Sequence, residues 1–313
     1  MFQTPILFII FNRPDTSAIV FQKIREIKPR QLFIAADGAR QDKPGEKERC
    51  QQTRDLILEG VDWECEVKTL FRDQNVGCGR ACSGAVNWFF ENVEQGIILE
   101  DDCVPDLSFF SYCENLLDYY KDNEKVMHIS GNNFQLSYTS EHSYYFSSSC
   151  YIWGWATWRR AWKLYDFQMT NYTNSWDFSE YVAGYDEVSY WRNIFSLTKK
   201  GLIDTWDYQW FFSCWYHKGL SIMPQYNLVT NIGFRPDATH TKWDIFIISN
   251  MKRYCINELN HPPLVARNKM ADYWHSRILN LYKANKLISF SQKLLRKIRV
   301  IVKLPMSKNA ITT

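Results

Sequence analysis

The sequence predicts an α/β fold, with a mostly parallel sheet and helices on both faces. Three observations carry this. The continuous apolar run Pro5 to Phe11 reads as a strand buried on both sides, the habit of parallel sheets. Segments with helical spacing alternate with further short apolar runs as far as Ser130. Carboxylates follow two of these runs, Asp37 after one and Glu100-Asp101-Asp102 after another. Open parallel sheets hold their ligands at such strand ends.

The elements follow in order. Asn12-Arg13-Pro14-Asp15 ends the first strand, and Thr16 to Ile27 has helical spacing. A second strand, Gln31 to Ala36, stops at Asp37-Gly38. Residues 44–58 read as a helix with Pro44 in its first turn. Glu66 to Phe71 is a third strand, Gly79 to Glu91 a helix, and Gly96 to Leu99 a short fourth strand. Asp106 to Tyr120 is helical and Lys125 to Ser130 is a strand. Beyond these, Trp153 to Leu164, Ser189 to Lys200 and Asp207 to His217 have helical spacing, while Leu220 to Met223 and Asn227 to Asn231 read as short strands. Residues 268–304 are helical again by periodicity.

Composition narrows the class. Hydrophobic residues make up 46% of the 313, enough for a large core. The aromatic share of 16%, with 13 Trp and 18 Tyr, suits sugar faces and base stacking as well as core filling. Nine basic residues and no acidic one follow Asp272; taking them from the net +3 leaves residues 1–272 at −6. An acidic body with a basic tail argues against nucleic acid as a partner and for contact with an anionic surface. Nine scattered Cys without a CxxC pair suggest a reducing, cytoplasmic setting. No apolar run reaches membrane-spanning length.

Several motifs carry chemistry. Three consecutive carboxylates after an apolar strand repel one another, and a divalent cation relieves that repulsion. Hard oxygen ligands suit Mg²⁺ or Mn²⁺, which could neutralise a departing nucleoside diphosphate. Asp37, with Gly38 behind it, is placed to accept from a uracil N–H or a ribose hydroxyl; a solvated turn explains the same residues. Asn75-Val76-Gly77-Cys78-Gly79-Arg80 leads into a helix and offers backbone N–H groups and Arg80 to phosphate, although it is neither a GxGxxG nor a P-loop. Trp153, Gly154 and Trp155, followed by Trp158, suit a sugar-pocket wall or a buried helix start equally. Asp207 stands among aromatics between Trp206 and Trp210. Desolvation there would raise its pKa and make it a base for a sugar hydroxyl; a helix N-terminal acid is the plainer alternative.

The order of these motifs resembles the GT-A fold glycosyltransferases of the N-acetylglucosaminyltransferase I kind, and related bacterial proteins of surface-polysaccharide assembly. The resemblance runs from about residue 4 to 245. Ile9 to Pro14 matches the opening strand and donor-binding turn, which implies donor contacts for Asn12 and Arg13. Asp37 matches the acid that contacts uridine. Glu100-Asp101-Asp102 matches the family's Glu-Asp-Asp form of the DxD motif, with Asp102 as metal ligand and Glu100 and Asp101 on the donor side. Ser130-Gly131-Asn132-Asn133 falls on an Asn-bearing loop, and Trp153-Gly154-Trp155 on the segment before the acceptor site. Trp206-Asp207 with Trp210 resembles the region of the catalytic base. One residue is inserted here and the second Asp replaced, so Asp207 is the acid that remains. His240 resembles a late-loop His near the metal.

The resemblance implies an inverting, metal-dependent enzyme. It would move a sugar from a nucleotide-diphosphate donor, UDP-N-acetylglucosamine among them, to a saccharide or lipid-linked saccharide. A catalytic domain over 1–245 is expected, with a donor half to about 135 and an acceptor half from 136, then a helical extension over 246–313. In that extension Leu287, Leu294, Leu295, Ile298, Ile301 and Val302 form an apolar stripe flanked by cations. This is the pattern of a helix lying on the inner membrane face or packed on the acidic body. Two rivals remain. A sugar nucleotidyltransferase needs a Gly-rich loop with Arg and Lys after the first strand, which Asn12-Arg13-Pro14-Asp15 does not provide. A silent sugar-binding module would keep the fold without turnover.

Overall fold

A computed structural model of the chain describes residues 1–135, 140–182, 185–234 and 251–276. The first half follows the alternation in the sequence: β1 (Ile6–Ile10), α1 (Pro14–Ile27), β2 (Gln31–Ala36), α2 (Glu46–Glu59), β3 (Glu66–Phe71), α3 (Cys78–Asn92) and β4 (Gln95–Glu100). β1 lies between β2 and β4 and parallel to both, with Ile6 opposite Leu32 on one side and Ile97 on the other. Because strand side chains alternate, each strand serves two cores. Ile6, Phe8, Ile34 and Leu99 face a cluster with Val20 and Ile24 of α1. Leu7, Phe33, Ala35 and Ile98 face another with Val86 and Phe89 of α3.

The chain continues through β5 (Cys103–Pro105), α4 (Ser108–Tyr119), β6 (Val126–Ser130), β7 (Tyr144–Ser147), β8 (Trp155–Trp158), α5 (Arg159–Trp162), α6 (Tyr185–Lys199), α7 (Asp207–Tyr216), β9 (Leu220–Pro224) and β10 (Val229–Asn231). The main sheet has the order β3-β2-β1-β4-β8-β6-β9-β7. β8 runs antiparallel to both its neighbours and β7 antiparallel to β9, so the sheet is mostly parallel with two reversed strands. A small antiparallel pair, β5 with β10, grows out of the acidic turn.

Three expectations are corrected. Trp153 to Leu164 is not one helix: Trp155–Trp158 is a central strand, and a single helical turn follows it. Trp155 joins one core while Ala156 and Trp158 join the other, a period-two pattern that short aromatic runs hide behind helix-like spacing. Helix α2 starts at Glu46 after Gly45 at φ 73°, so Pro44 lies outside its first turn. Helix α4 starts at Ser108, with the Asp106 carboxylate accepting from the Ser108 N–H at 2.9 Å. The sequence reading also missed β5 and β7.

Residues 251–276 pack along the β7 edge. Ser143 N–H donates to Asn260 O, Asn268 N–H to Phe146 O, and Arg253 Nη1 to Val104 O. Residues 269–276 are helical. His240 and the apolar stripe of the tail lie outside the described residues. Among the described residues, no helix is long and apolar enough to cross a membrane.

Candidate active site

The carboxyl ends of β1, β2 and β4 bring Arg13, Asp37 and the acidic triplet to one rim of the sheet. Arg13 reaches over from the first turn. Its guanidinium lies 3.0 Å from Asp102 Oδ2 and 3.5 Å from Asp101 Oδ1. Burial works against the charge of Arg13, and the two aspartates more than offset it. Asp102 is fixed from several sides. Asn231 Nδ2 lies 3.4 Å from its Oδ1, and its main-chain oxygen accepts from Ile232 N–H at 2.8 Å. Gly233 packs so closely that a Cβ there would stand 2.0 Å from Asp102 Oδ2.

One guanidinium does not balance three carboxylates. Burial and then the Asp102 charge push the Glu100 carboxyl well above the usual range. Burial pushes Asp101 up to about 7, against the pull of Arg13. Asp101 Oδ2 is buried and has no hydrogen-bond partner. Among the described residues, no group of three His, Cys, Asp or Glu side chains converges on a point that would hold a metal ion. Mg²⁺ and Mn²⁺ need less, commonly one or two carboxylates with diphosphate and water completing the set. Asp102, beside an orphaned carboxylate oxygen in an excess of negative charge, fits that demand.

The other donor-side candidates are engaged with protein. Asp37 accepts the Val76 N–H at 3.1 Å, and burial is the main cause that raises its pKa. Asn12 donates to Glu46 at 2.8 Å, and Glu46 is buried under the Arg40 guanidinium. Arg80 is exposed over the Phe167 ring at 5.7 Å. The amides that the sequence offered to phosphate, Cys78 N–H and Gly79 N–H, both donate to the Asp204 carboxylate at 2.9 Å. Sequence reading missed this role of Asp204, and that of Glu46. Asp204 is more than 120 residues from its partners, and no local pattern marks such a pairing.

Beside this rim lies a cavity of about 310 Å³. Tyr151, Trp153, Tyr190, Trp191, Tyr208 and Phe211 supply aromatic walls, and Asp207 and Glu187 supply carboxylates. Asp207 opens α7 and accepts from Thr205 Oγ1. It lines the cavity, and its charge adds to the causes that raise the pKa of Tyr208 and of Glu100 in the acidic rim. Trp153 packs edge-on against Phe134 at 5.0 Å, and its main-chain N–H donates to Asn132 Oδ1 at 3.0 Å.

Three expected wall residues are corrected. Trp155 and Trp206, 0% and 2% exposed, stack at 5.4 Å inside the core and present no face to a ligand. Gly154 is a steric necessity of the turn rather than a contact. It has φ +68°, and a Cβ there would meet Val229 at 2.9 Å. The cavity is closed in part by Asp272 and Ser276 of the 269–276 helix, which the sequence placed outside the catalytic region. Asp272 is held there by Arg267 Nε at 2.5 Å and by Ser148 N–H at 3.2 Å.

No family model and no curated protein matches the chain. Among solved structures it is similar to HddC from Yersinia pseudotuberculosis, at 10% identity over 47% of this chain and 59% of that one, with a TM-score of 0.28. It is similar to S. aureus TarS 1–349 at 10% identity over 50% of this chain and 47% of that one, TM-score 0.34. Mouse xyloside xylosyltransferase 1 in its apo form gives 9% identity over 68% and 81%, TM-score 0.33. The chain spans about half the length of the TarS structure and three-fifths of HddC. Likenesses this remote carry no argument about activity.

Proposed function

We propose that the protein is a glycosyltransferase that moves a sugar from a nucleotide-diphosphate donor to a saccharide hydroxyl with inversion. One observation carries the reading: Asp207 lines an aromatic cavity together with a second carboxylate, Glu187, and its charge is felt by Glu100 of the acidic rim. The rim suits a diphosphate with its metal, and the cavity suits a sugar face.

In this reading Asp102 would hold Mn²⁺ or Mg²⁺, which supplies charge neutralisation for the leaving diphosphate. Arg13 holds the rim together and adds a second positive charge beside it. Asp37 lies where a nucleoside would reach the end of β2. Trp153, Tyr190 and Tyr208 orient the acceptor in the cavity. Asp207 takes the proton from the acceptor hydroxyl as that oxygen bonds to the anomeric carbon and the bond to the diphosphate breaks. Only residues 11–13 separate β1 from α1, which leaves no room for the Gly-rich loop of a nucleotidyltransferase.

The test is donor hydrolysis and transfer over a panel of UDP- and GDP-sugars with Mn²⁺. Metal-dependent release of nucleoside diphosphate is the expected result. Release of pyrophosphate from a nucleoside triphosphate and a sugar phosphate, or binding without turnover across the panel, would reject it.

A further inference from the structure

The 269–276 helix has two faces of different kinds. Ala271, Asp272 and His275 point inward and are at most 6% exposed. His275 stacks flat on Tyr151 at 4.5 Å, and Asp272 is clamped by Arg267 and Ser148. Lys269, Met270, Tyr273 and Trp274 point outward; Met270 is 60% exposed and Trp274 45%. A rigid mount therefore presents a thioether and two aromatic rings to solvent. Large apolar side chains clustered on one helix face are candidates for an interaction surface.

We propose that this outward face docks on an anionic lipid surface. Trp and Tyr favour the boundary between headgroups and acyl chains, and Lys reaches from there to the headgroup level. Charge selects the occupant. From Tyr273 to the last residue the sequence has nine cations and no acid, whereas residues 1–272 are net negative. Anionic lipid attracts the first region, which continues in sequence directly from the patch, and repels the second. The inward face of the same helix supplies Asp272 and Ser276 to the cavity wall. Docking thus holds the cavity one helix away from the bilayer, near enough for a lipid-linked saccharide to be its acceptor. That last step rests on the glycosyl-transfer reading, but the docking does not.

The test is co-sedimentation of the full chain with phosphatidylcholine vesicles, with and without phosphatidylglycerol, at low and high salt. Binding to the anionic vesicles only, weakened by salt, is expected. The double variant Met270→Ser/Trp274→Ser should lower the partition coefficient roughly tenfold or more. Trp274→Glu should act in the same direction. Because these residues lie on the outward face, the thermal midpoint of both variants should match the parent. Four results would overturn the proposal. The parent could fail to sediment with anionic vesicles, or the variants could bind like the parent. The chain could self-associate through the patch without lipid, which makes a second copy the occupant. The variants could lose thermal stability, which makes a segment of the chain itself the cover. None of these readouts needs turnover, so failure here is separate from failure of the catalytic reading.

Discussion

At the residue scale, the proposed reaction assigns different tasks to Asp102 and Asp207, and their substitutions should behave differently. Asp102→Asn keeps the shape and removes the charge that a divalent cation needs. Turnover should fall by roughly two to four powers of ten, since loss of several kcal/mol at a polarised leaving group costs that much. Mn²⁺-dependent binding of UDP, followed by calorimetry, should weaken in parallel. Full activity of this variant, or of the parent in excess EDTA, would falsify the metal assignment. Asp207→Asn removes proton acceptance but keeps size, so kcat should fall roughly 10²- to 10⁴-fold while donor affinity stays level. A collapse of donor binding instead would make Asp207 a donor or structural residue. The acidic triplet was legible because its members are adjacent in the chain. The Arg13 bridge to it, 89 residues away in sequence, became visible only in three dimensions.

At the scale of elements, the amino end of α3 illustrates why a helix start is ambiguous in a sequence. Its free N–H groups attract any anion. Here the anion is a side chain of the same protein, Asp204, with both its oxygens engaged. Asp204→Ala should therefore cost about 1–2 kcal/mol of stability. A chain of this size should show a thermal midpoint lower by roughly 1.5–3 °C. Asp204→Asn should lose less, because one acceptor oxygen remains. Turnover should change little in either variant. If activity vanished while the midpoint held, Asp204 would replace Asp207 as candidate base. β8 teaches a related lesson. Its four residues fill two cores at once, and only the neighbours β4 and β6 distinguish that from a buried helical turn.

At the scale of the whole molecule, two buried imidazoles tie stability to pH. His128 sits under Trp155, takes a hydrogen bond from Trp210 Nε1 on Nδ1 at 3.1 Å, and gives one from Nε2 to Tyr151 O at 2.9 Å. A second proton would face a donor. Burial lowers the pKa of His128 to about 3 and that of His275 to about 3, against roughly 6.5 in an unfolded chain. Below about pH 6.5 the unfolded state binds protons that the folded state refuses. Their contribution is therefore complete above that pH and falls on acidification toward 3, by up to ~1.4 kcal/mol per pH unit for each imidazole, while the raised Glu100 and Asp101 carboxyls act in the opposite sense. Urea unfolding between pH 7.5 and 5 isolates the imidazole as a difference, and the slope of His128→Gln should differ from that of the parent by about one proton. An unchanged slope in that variant would show that His128 does not carry the effect.

The sequence by itself determined the sheet's first half, the strand ends that carry Asp37 and Glu100-Asp101-Asp102, and the place of Asp207 at the start of a helix. These are local properties, since apolar runs, turn residues and adjacent charges bear their meaning within about ten residues. Only the tertiary structure decided which Trp is wall and which is core, with Trp153 at the cavity and Trp155 and Trp206 buried. It also decided that Asp204 caps α3 and that Asp272 and Ser276 close the cavity. Those outcomes depend on contacts between residues far apart in the chain. A side chain's burial is a property of its neighbours in space, and residue type alone does not encode it.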